Sequence, residues 1–255
     1  MKNNIQIGDI IVVLHGDDII SKLIAEGAHI CHPDFPYGKI PSHVTSPIFP
    51  IDENFIHVCL DKFSIADPNY PDSREWIKEH LYGKPALGGK GIEEMVASGI
   101  NGGALEDSGY LDQKNIFILE PVVSWTQMGM KALSVWSSFY FKKQIPYDYL
   151  VYLAYAENIG VGWAINRLGL PVDWSPWFGP STDIKGLHDS SQDLQVCVEL
   201  GERLTNLAVI SEQAINKNYF DGQIPFPGNV NESQPIDILL SSFWKVKKDS
   251  PLQLK

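Results

Sequence analysis

Short apolar runs at strand and helix spacing open the chain. Residues 9–14 (DIIVVL) are mostly β-branched, which predicts a buried strand. Residues 19–25 (IISKLIA) then carry apolar positions at helical spacing. This pattern predicts a helix that Asp17 or Asp18 caps and that Gly27 ends, since acidic caps and a following glycine are the usual helix boundaries.

Two more strands are predicted at residues 43–49 and 54–60, before the pattern changes. Between residues 61 and 115 the sequence predicts short helices in DSREWIKEHLYG and GIEEMVASG, connected by glycine-rich segments. This stretch has too few apolar residues for a core of its own. We therefore expect one domain over residues 1–255, with 61–115 as a helical insertion that decorates its sheet.

The second half of the chain alternates between one clear strand and several helices. Residues 115–123 (NIFILEPVV) predict the strand, and PIDILLSSFWKV near the C-terminus is expected to pack back on the fold. Helical periodicity predicts three helices, over residues 125–141, 148–168 and 193–207. The sequence thus predicts an α+β fold.

The amino-acid composition argues against nucleic-acid binding and against a membrane-spanning protein. The formal net charge of −11 argues against a nucleic-acid-binding surface, which needs clustered Lys and Arg. The sequence has no run of about 18 apolar residues, so we expect no membrane-spanning helix. The N-terminus lacks the pattern of a secretory signal, so a cytoplasmic location is the default expectation, with export by a signal-independent route left open.

Cysteine usage points to a reactive thiol. The chain has three cysteines, an odd and low number that does not describe a disulfide framework. Cys197 falls in or near the first turn of a predicted helix, where exposed N–H groups favour the nucleophilic thiolate. The alternative is a buried cysteine that acts as a small hydrophobic residue.

A histidine and a glutamate on predicted strands complete a candidate catalytic group. His43 lies at the edge of a strand, and a neutral imidazole beside a thiol can take up its proton. Glu120 lies in an otherwise apolar strand. It either faces solvent on an edge strand, or it is buried and needs a partner such as a histidine N–H. His57, on the next predicted strand, is a rival to both.

Two other chemistries are weaker. HICHPD, residues 29–34, concentrates possible metal ligands, but its spacing is not that of a zinc site and no second cluster matches it. A serine hydrolase is disfavoured because no G-x-S-x-G elbow is present. We therefore expect neither a metal nor another cofactor.

The motifs occur together in an order that resembles one group of enzymes. The segments are GDIIVVLHGDDIISKLI, PSHV, ILEP and VCVEL, with softer matches in PYDY and PIDILLSSFWKV. They resemble the YiiX-like group of circularly permuted papain-fold hydrolases, in the NlpC superfamily. The departures are Val198 in place of a serine, an irregular sequence after His43, and the long insertion.

The resemblance implies a permuted papain-like fold, in which an antiparallel sheet packs against helices. It implies that Cys197 is the nucleophile, His43 the base and Glu120 the residue that orients His43, with His57 as the alternative. The expected activity is hydrolysis of an amide or ester bond in a small-molecule, peptide or lipid substrate. Two other expectations stay open: a non-catalytic binding protein on the same scaffold, and a lipid-directed acyl transferase.

Overall fold

The computed structural model describes residues 2–48, 91–96, 99–143, 160, 197–226 and 233–254. Within these ranges the chain forms six strands and four α-helices. In chain order they are β1 (Ile10–Leu14), α1 (Ile19–Cys31), β2 (Pro41–Ile48), β3 (Gly91–Val96), β4 (Gly99–Ala104), β5 (Ile116–Pro121), α2 (Gln127–Lys143), α3 (Cys197–Ile215), α4 (Pro235–Leu240) and β6 (Trp244–Val246).

The strands form one antiparallel sheet in the order β4-β3-β2-β1-β5-β6. β1 lies in the middle of this sheet, as its unbroken apolar sequence predicts, because a central strand is covered on both faces. The predicted α+β class is confirmed.

Successive side chains of β1 point to opposite faces of the sheet and pack into two separate hydrophobic clusters. Ile10 and Val12 belong to the larger cluster, which includes the apolar residues of α2 and α3. Ile11 lies in a second cluster on the other face, with Ile116 and Ile118 of β5. Successive side chains of a strand point to opposite faces, so the helices α2 and α3 cover one face only.

The first helix begins where the sequence predicts but ends later. Asp18 is the N-cap, and its Oδ1 accepts a hydrogen bond from the Ser21 N–H at 2.8 Å. The predicted end at Gly27 is wrong, because α1 continues to Cys31 with Gly27 and Ala28 buried. Burial of small residues against the rest of the fold outweighs the weak helix propensity of glycine.

The predicted helix in GIEEMVASG is also wrong. Residues 91–96 form β3, which pairs with β2, and Gly99 belongs to β4 instead of ending a helix. In a nine-residue segment, the spacing of apolar residues does not distinguish a strand from a helix. Here the unpaired backbone groups along β2 supply hydrogen-bond partners for a strand. Part of the stretch 61–115 therefore extends the sheet. The strand predicted at 54–60 and the helix predicted at 72–83 lie outside the described residues, as does the helix predicted at 148–168 except for residue 160, which is helical.

The remaining predicted elements are observed. α2 and β5 match their predicted segments closely. α3 contains Cys197 and continues to Ile215, past the predicted end at residue 207, while residues 193–196 lie outside the described part. The C-terminal segment packs back as expected, with β6 paired to β5 at the sheet edge. No helix among the described residues has both the length and the apolar character to cross a membrane.

Candidate functional site

Helix α3 packs closely on strand β2. A Cβ at Gly201 would lie 3.2 Å from Val44 Cγ1 and 3.6 Å from Ile238 Cδ1 of α4. Cys197 is four residues before Gly201 and therefore lies on the same helix face, one turn away. Its side chain is a free thiol, 4% exposed, in the core cluster that contains Val12 and Val44.

The direction of α3 places the Cys197 end near one edge of the sheet. Near the other end of the helix, Glu212 accepts a hydrogen bond from the Thr126 N–H at 2.7 Å. The adjacent Trp125 donates from Nε1 to the carbonyl of Gly8, just before β1 begins. Gly201 meets Val44 in the middle of β2, farther from Gly8 along the strands. The Cys197 end of α3 therefore points to the end of the sheet where β1 stops and β2 starts. His43 lies at that end.

The pleat of β2 places His43 on the face opposite to α3. Val44 pairs with Val12, and both belong to the cluster under α3. His43 pairs with Val13, which packs on the other cluster. The structure therefore brings the strand of His43 and the helix of Cys197 together, with the half-buried His43 side chain on the far face.

Glu120 is far from His43 along the strands. Val13 lies opposite both His43 on β2 and Ile116 on β5, and Glu120 is four residues farther along β5. Four residues correspond to about 13 Å, in addition to the width of the intervening β1. Glu120 Oε1 instead lies 3.4 Å from Lys245 Nζ, opposite it on β6. The structure does not bring Glu120 and His43 together.

The other sequence candidates are only partly placed. His57 and Cys59 lie outside the described residues. The HICHPD segment covers the end of α1 and the turn after it. In the described part of the chain, no group of three or more His, Cys, Asp or Glu side chains has an arrangement that could hold a metal ion.

A polar cluster that the sequence pattern did not predict surrounds the start of α4. We call it the α4 cluster: Glu202, Ser233, Gln234, Asp237 and His32. Ser233 Oγ donates to Glu202 Oε2 at 2.5 Å, and the Gln234 N–H donates to Asp237 Oδ2 at 2.7 Å. His32 Nε2 lies 3.4 Å from Asp237 Oδ1. Gln234, Pro235 and Asp237 form a capping-box pattern with proline at the first helical position, which is the sequence signal that could have located it.

Burial sets the protonation of this cluster. It raises the pKa of Glu202 to about 8, with a further contribution from the negative charge of Asp237, while Ser233 and Arg203 act in the opposite direction. Burial also raises the pKa of Asp237, against the effect of the Gln234 N–H and of His32. At neutral pH, Glu202 therefore carries a proton.

The thiol of Cys31 borders the same cluster. Gln234 Nε2 lies 3.5 Å from Cys31 Sγ. Burial raises the pKa of Cys31. The Gln234 contact lowers it by less, and the charge of Asp237 adds a still smaller increase. Cys31 is thus a poor nucleophile at neutral pH, because the thiolate is the attacking species.

No protein-family model, curated protein sequence or solved structure matches this chain. Its function must therefore be inferred from the motifs of the chain and from the placement of their residues.

Proposed function

We propose that this protein is a cysteine-nucleophile hydrolase of an amide or ester bond, on a permuted papain-like scaffold. The observation that supports it best is the packing of α3 on β2, since Gly201 meets Val44. This packing brings the helix of Cys197 and the strand of His43 to the same edge of the sheet. Both belong to motifs that resemble the YiiX-like group.

In the proposed reaction, the Cys197 thiolate attacks the carbonyl carbon of the substrate, and His43 takes up the thiol proton. His43 then gives that proton to the leaving amine or alcohol, and water hydrolyses the thioester. These two residues carry out the reaction. Glu120 pairs with Lys245 instead, and His57 remains the alternative orienting residue.

The reaction requires the imidazole of His43 to reach the face of the sheet that α3 covers. The pairing of β1 and β2 shifts register between Val13 and Leu14, directly beside His43. Such irregularities re-aim side chains and are frequent near active sites. We therefore propose that the start of β2 rearranges when substrate binds.

A second candidate is a binding protein that keeps this scaffold without turnover. Two observations favour it: the thiol of Cys197 is buried, and the pleat of β2 directs His43 to the opposite face. In that case Cys197 fills space in the core as a small hydrophobic side chain.

The rate of alkylation against pH, measured separately for each cysteine by iodoacetamide labelling and peptide mass spectrometry, tests the two candidates. For a hydrolase, Cys197 reaches its half-maximal rate well below the pH of about 8.5 at which a free thiol ionises. His43→Ala abolishes this advantage. The control His15→Ala removes a half-buried histidine at the same edge, whose Nδ1 lies 3.0 Å from the Ile40 carbonyl, and leaves the profile unchanged.

A Cys197 that reacts no faster than Cys31 at every pH contradicts the hydrolase. Repeating the titration in urea below the unfolding transition separates a thiol that is merely buried from one that is not activated. If urea exposes Cys197 and its profile stays that of an ordinary thiol, the binding protein is the better description.

A further inference from the structure

Helix α4 covers the face of α3 that carries Cys197. Ile238 Cδ1 lies 3.6 Å from the position of a Cβ at Gly201, and Cys197 is one turn away on that face. Ile238 and Leu239 are buried in the same cluster as Cys197. Access to the thiol from this side therefore depends on whether α4 stays in place.

The start of α4 is held by apolar burial and by a few polar contacts. Pro235 and Ile236 are buried, and Ile236 packs in a cluster with Ala25 and Ile40. Ser233 Oγ donates to Glu202 Oε2 of α3, and Asp237 contacts His32 just after α1. Glu202 is 1% exposed, and its second oxygen, Oε1, has no hydrogen-bond partner in the described part of the chain. A buried carboxylate with one unpartnered oxygen is tolerable when protonated and costly when ionised.

We propose that α4 is a proton-controlled cover over the Cys197 face of α3, closed while Glu202 is protonated and released when Glu202 loses its proton. The proposal concerns access to the thiol and does not depend on Cys197 being a nucleophile.

The charges around Glu202 give the direction of the effect. Arg203 on α3 favours the ionised form, while Asp237 on α4 opposes it. His32 faces Asp237 from the end of α1, and the thiol of Cys31 also borders Asp237. The neighbouring Val44 of β2 carries no charge. Ionisation of Glu202 therefore places two carboxylates close together in a buried site, and separation of α4 from α3 relieves their repulsion.

Linkage sets the pH range of the release. The pKa of Glu202 is about 8 with the cover closed, against the ordinary value of 4.5 when the side chain is in water. Opening therefore releases a proton at intermediate pH, and the opening constant rises about tenfold per pH unit between these values and then levels off. Between about pH 5.5 and pH 7.5 the expected increase is roughly 70-fold.

Hydrogen exchange of the α4 amides, corrected for the intrinsic exchange rate at each pH, measures this opening. In the wild type, the opening constant rises by this factor over that range. In Glu202→Gln, which keeps an acceptor for Ser233 but cannot ionise, most of this rise is lost, and Asp237 with its raised pKa accounts for what remains. A wild type without the rise, or a Glu202→Gln variant with the same rise, overturns the proposal.

Two further measurements distinguish local opening of α4 from unfolding of the whole protein. Ser233→Ala removes the fastening hydrogen bond but keeps the carboxylate, so α4 opens more at pH 5.5 and the dependence on pH remains. The central β1 amides report global unfolding and must exchange more slowly than those of α4. Equal exchange of α4 and β1 at every pH means that the whole protein unfolds, and this also overturns the proposal.

Discussion

Glu212 on α3 caps the first turn of α2 through Thr126. Its Oε1 accepts hydrogen bonds from the N–H groups of Thr126 and Gly129 at 2.7 and 3.1 Å, and its Oε2 accepts from Thr126 Oγ1 at 2.7 Å. The N–H groups at a helix start have no partner within the helix. One buried carboxylate thus joins the two helices that cover the sheet.

Replacing this carboxylate should destabilise the fold. Glu212→Ala leaves buried donors without an acceptor, and we expect the free energy of unfolding to fall by about 3 kcal/mol. Urea unfolding followed by circular dichroism measures it. The control Glu106→Ala removes an exposed glutamate and should change the value by less than about 0.5 kcal/mol. Similar losses in the two variants would contradict the capping role.

The buried ion pair between Asp9 and Lys247 should contribute far more to the free energy of unfolding than the exposed pair between Lys245 and Glu120. Lys247 Nζ lies 3.0 Å from Asp9 Oδ2 and also donates to the Asn4 carbonyl. Lys247→Met leaves Asp9 buried without a cation, and we expect a loss of about 3–5 kcal/mol near neutral pH. Lys245→Met, which breaks only the exposed pair with Glu120, should cost less than about 1 kcal/mol.

The decrease in the free energy of unfolding caused by Lys247→Met should depend on pH. Burial raises the pKa of Asp9 from 3.8 to about 6, against the effects of Gln6 and Lys247. Near pH 4 Asp9 is protonated in the folded state of both proteins, so loss of the lysine charge matters little there. As the pH rises through 6, Asp9 ionises beside Lys247 in the wild type, but in the variant it must keep a proton or remain unpaired. Urea unfolding at pH 4 and 7 checks this, and equal losses at both values would refute it.

Gly8 should tolerate no side chain. It has φ +85°, and a Cβ there would overlap Cδ1 of Trp125, whose Nε1 donates to the Gly8 carbonyl. We expect Gly8→Ala to lower the free energy of unfolding by more than about 2 kcal/mol. In the control Gly103→Ala, an added Cβ meets nothing within 4 Å, and no loss is expected. Thermal unfolding compares the two, and a harmless Gly8→Ala would be the contrary result.

A strained turn offers a stabilising substitution. Phe220 and Asp221 have φ values of 52° and 55°, the only positive values among the described non-glycine residues. Phe220 is held by ring contacts with Trp125 and Phe243, but Asp221 is exposed. Asp221→Gly should therefore raise the free energy of unfolding by up to about 1 kcal/mol. Asp112→Gly, at an exposed position with ordinary φ, should lower it by about 0.5–1 kcal/mol. Calorimetry that showed the same sign for both would rule out strain at Asp221.

Local pattern was enough to predict much of the fold. β1, β5, α2, an acidic cap at Asp17 or Asp18 and the helix of Cys197 follow from the spacing of apolar residues and from capping side chains. These features depend on residues that are neighbours in sequence, so no knowledge of the rest of the fold is required. Cys197 and His43 are predicted from the ordered motifs that resemble the YiiX-like group, and their catalytic role stays a prediction.

Only the tertiary structure decided how these elements meet. Residues 91–96 form a strand because they pair with β2. Helix α1 continues past Gly27 to Cys31 because its small residues are buried against the rest of the fold. Strand register separated Glu120 from His43 by four residues, and the pleat put His43 on the face opposite to α3. The α4 cluster joins residues as far apart as His32 and Asp237. Register, face and cluster all depend on contacts between distant parts of the chain, and spacing along the sequence does not fix which residues make those contacts.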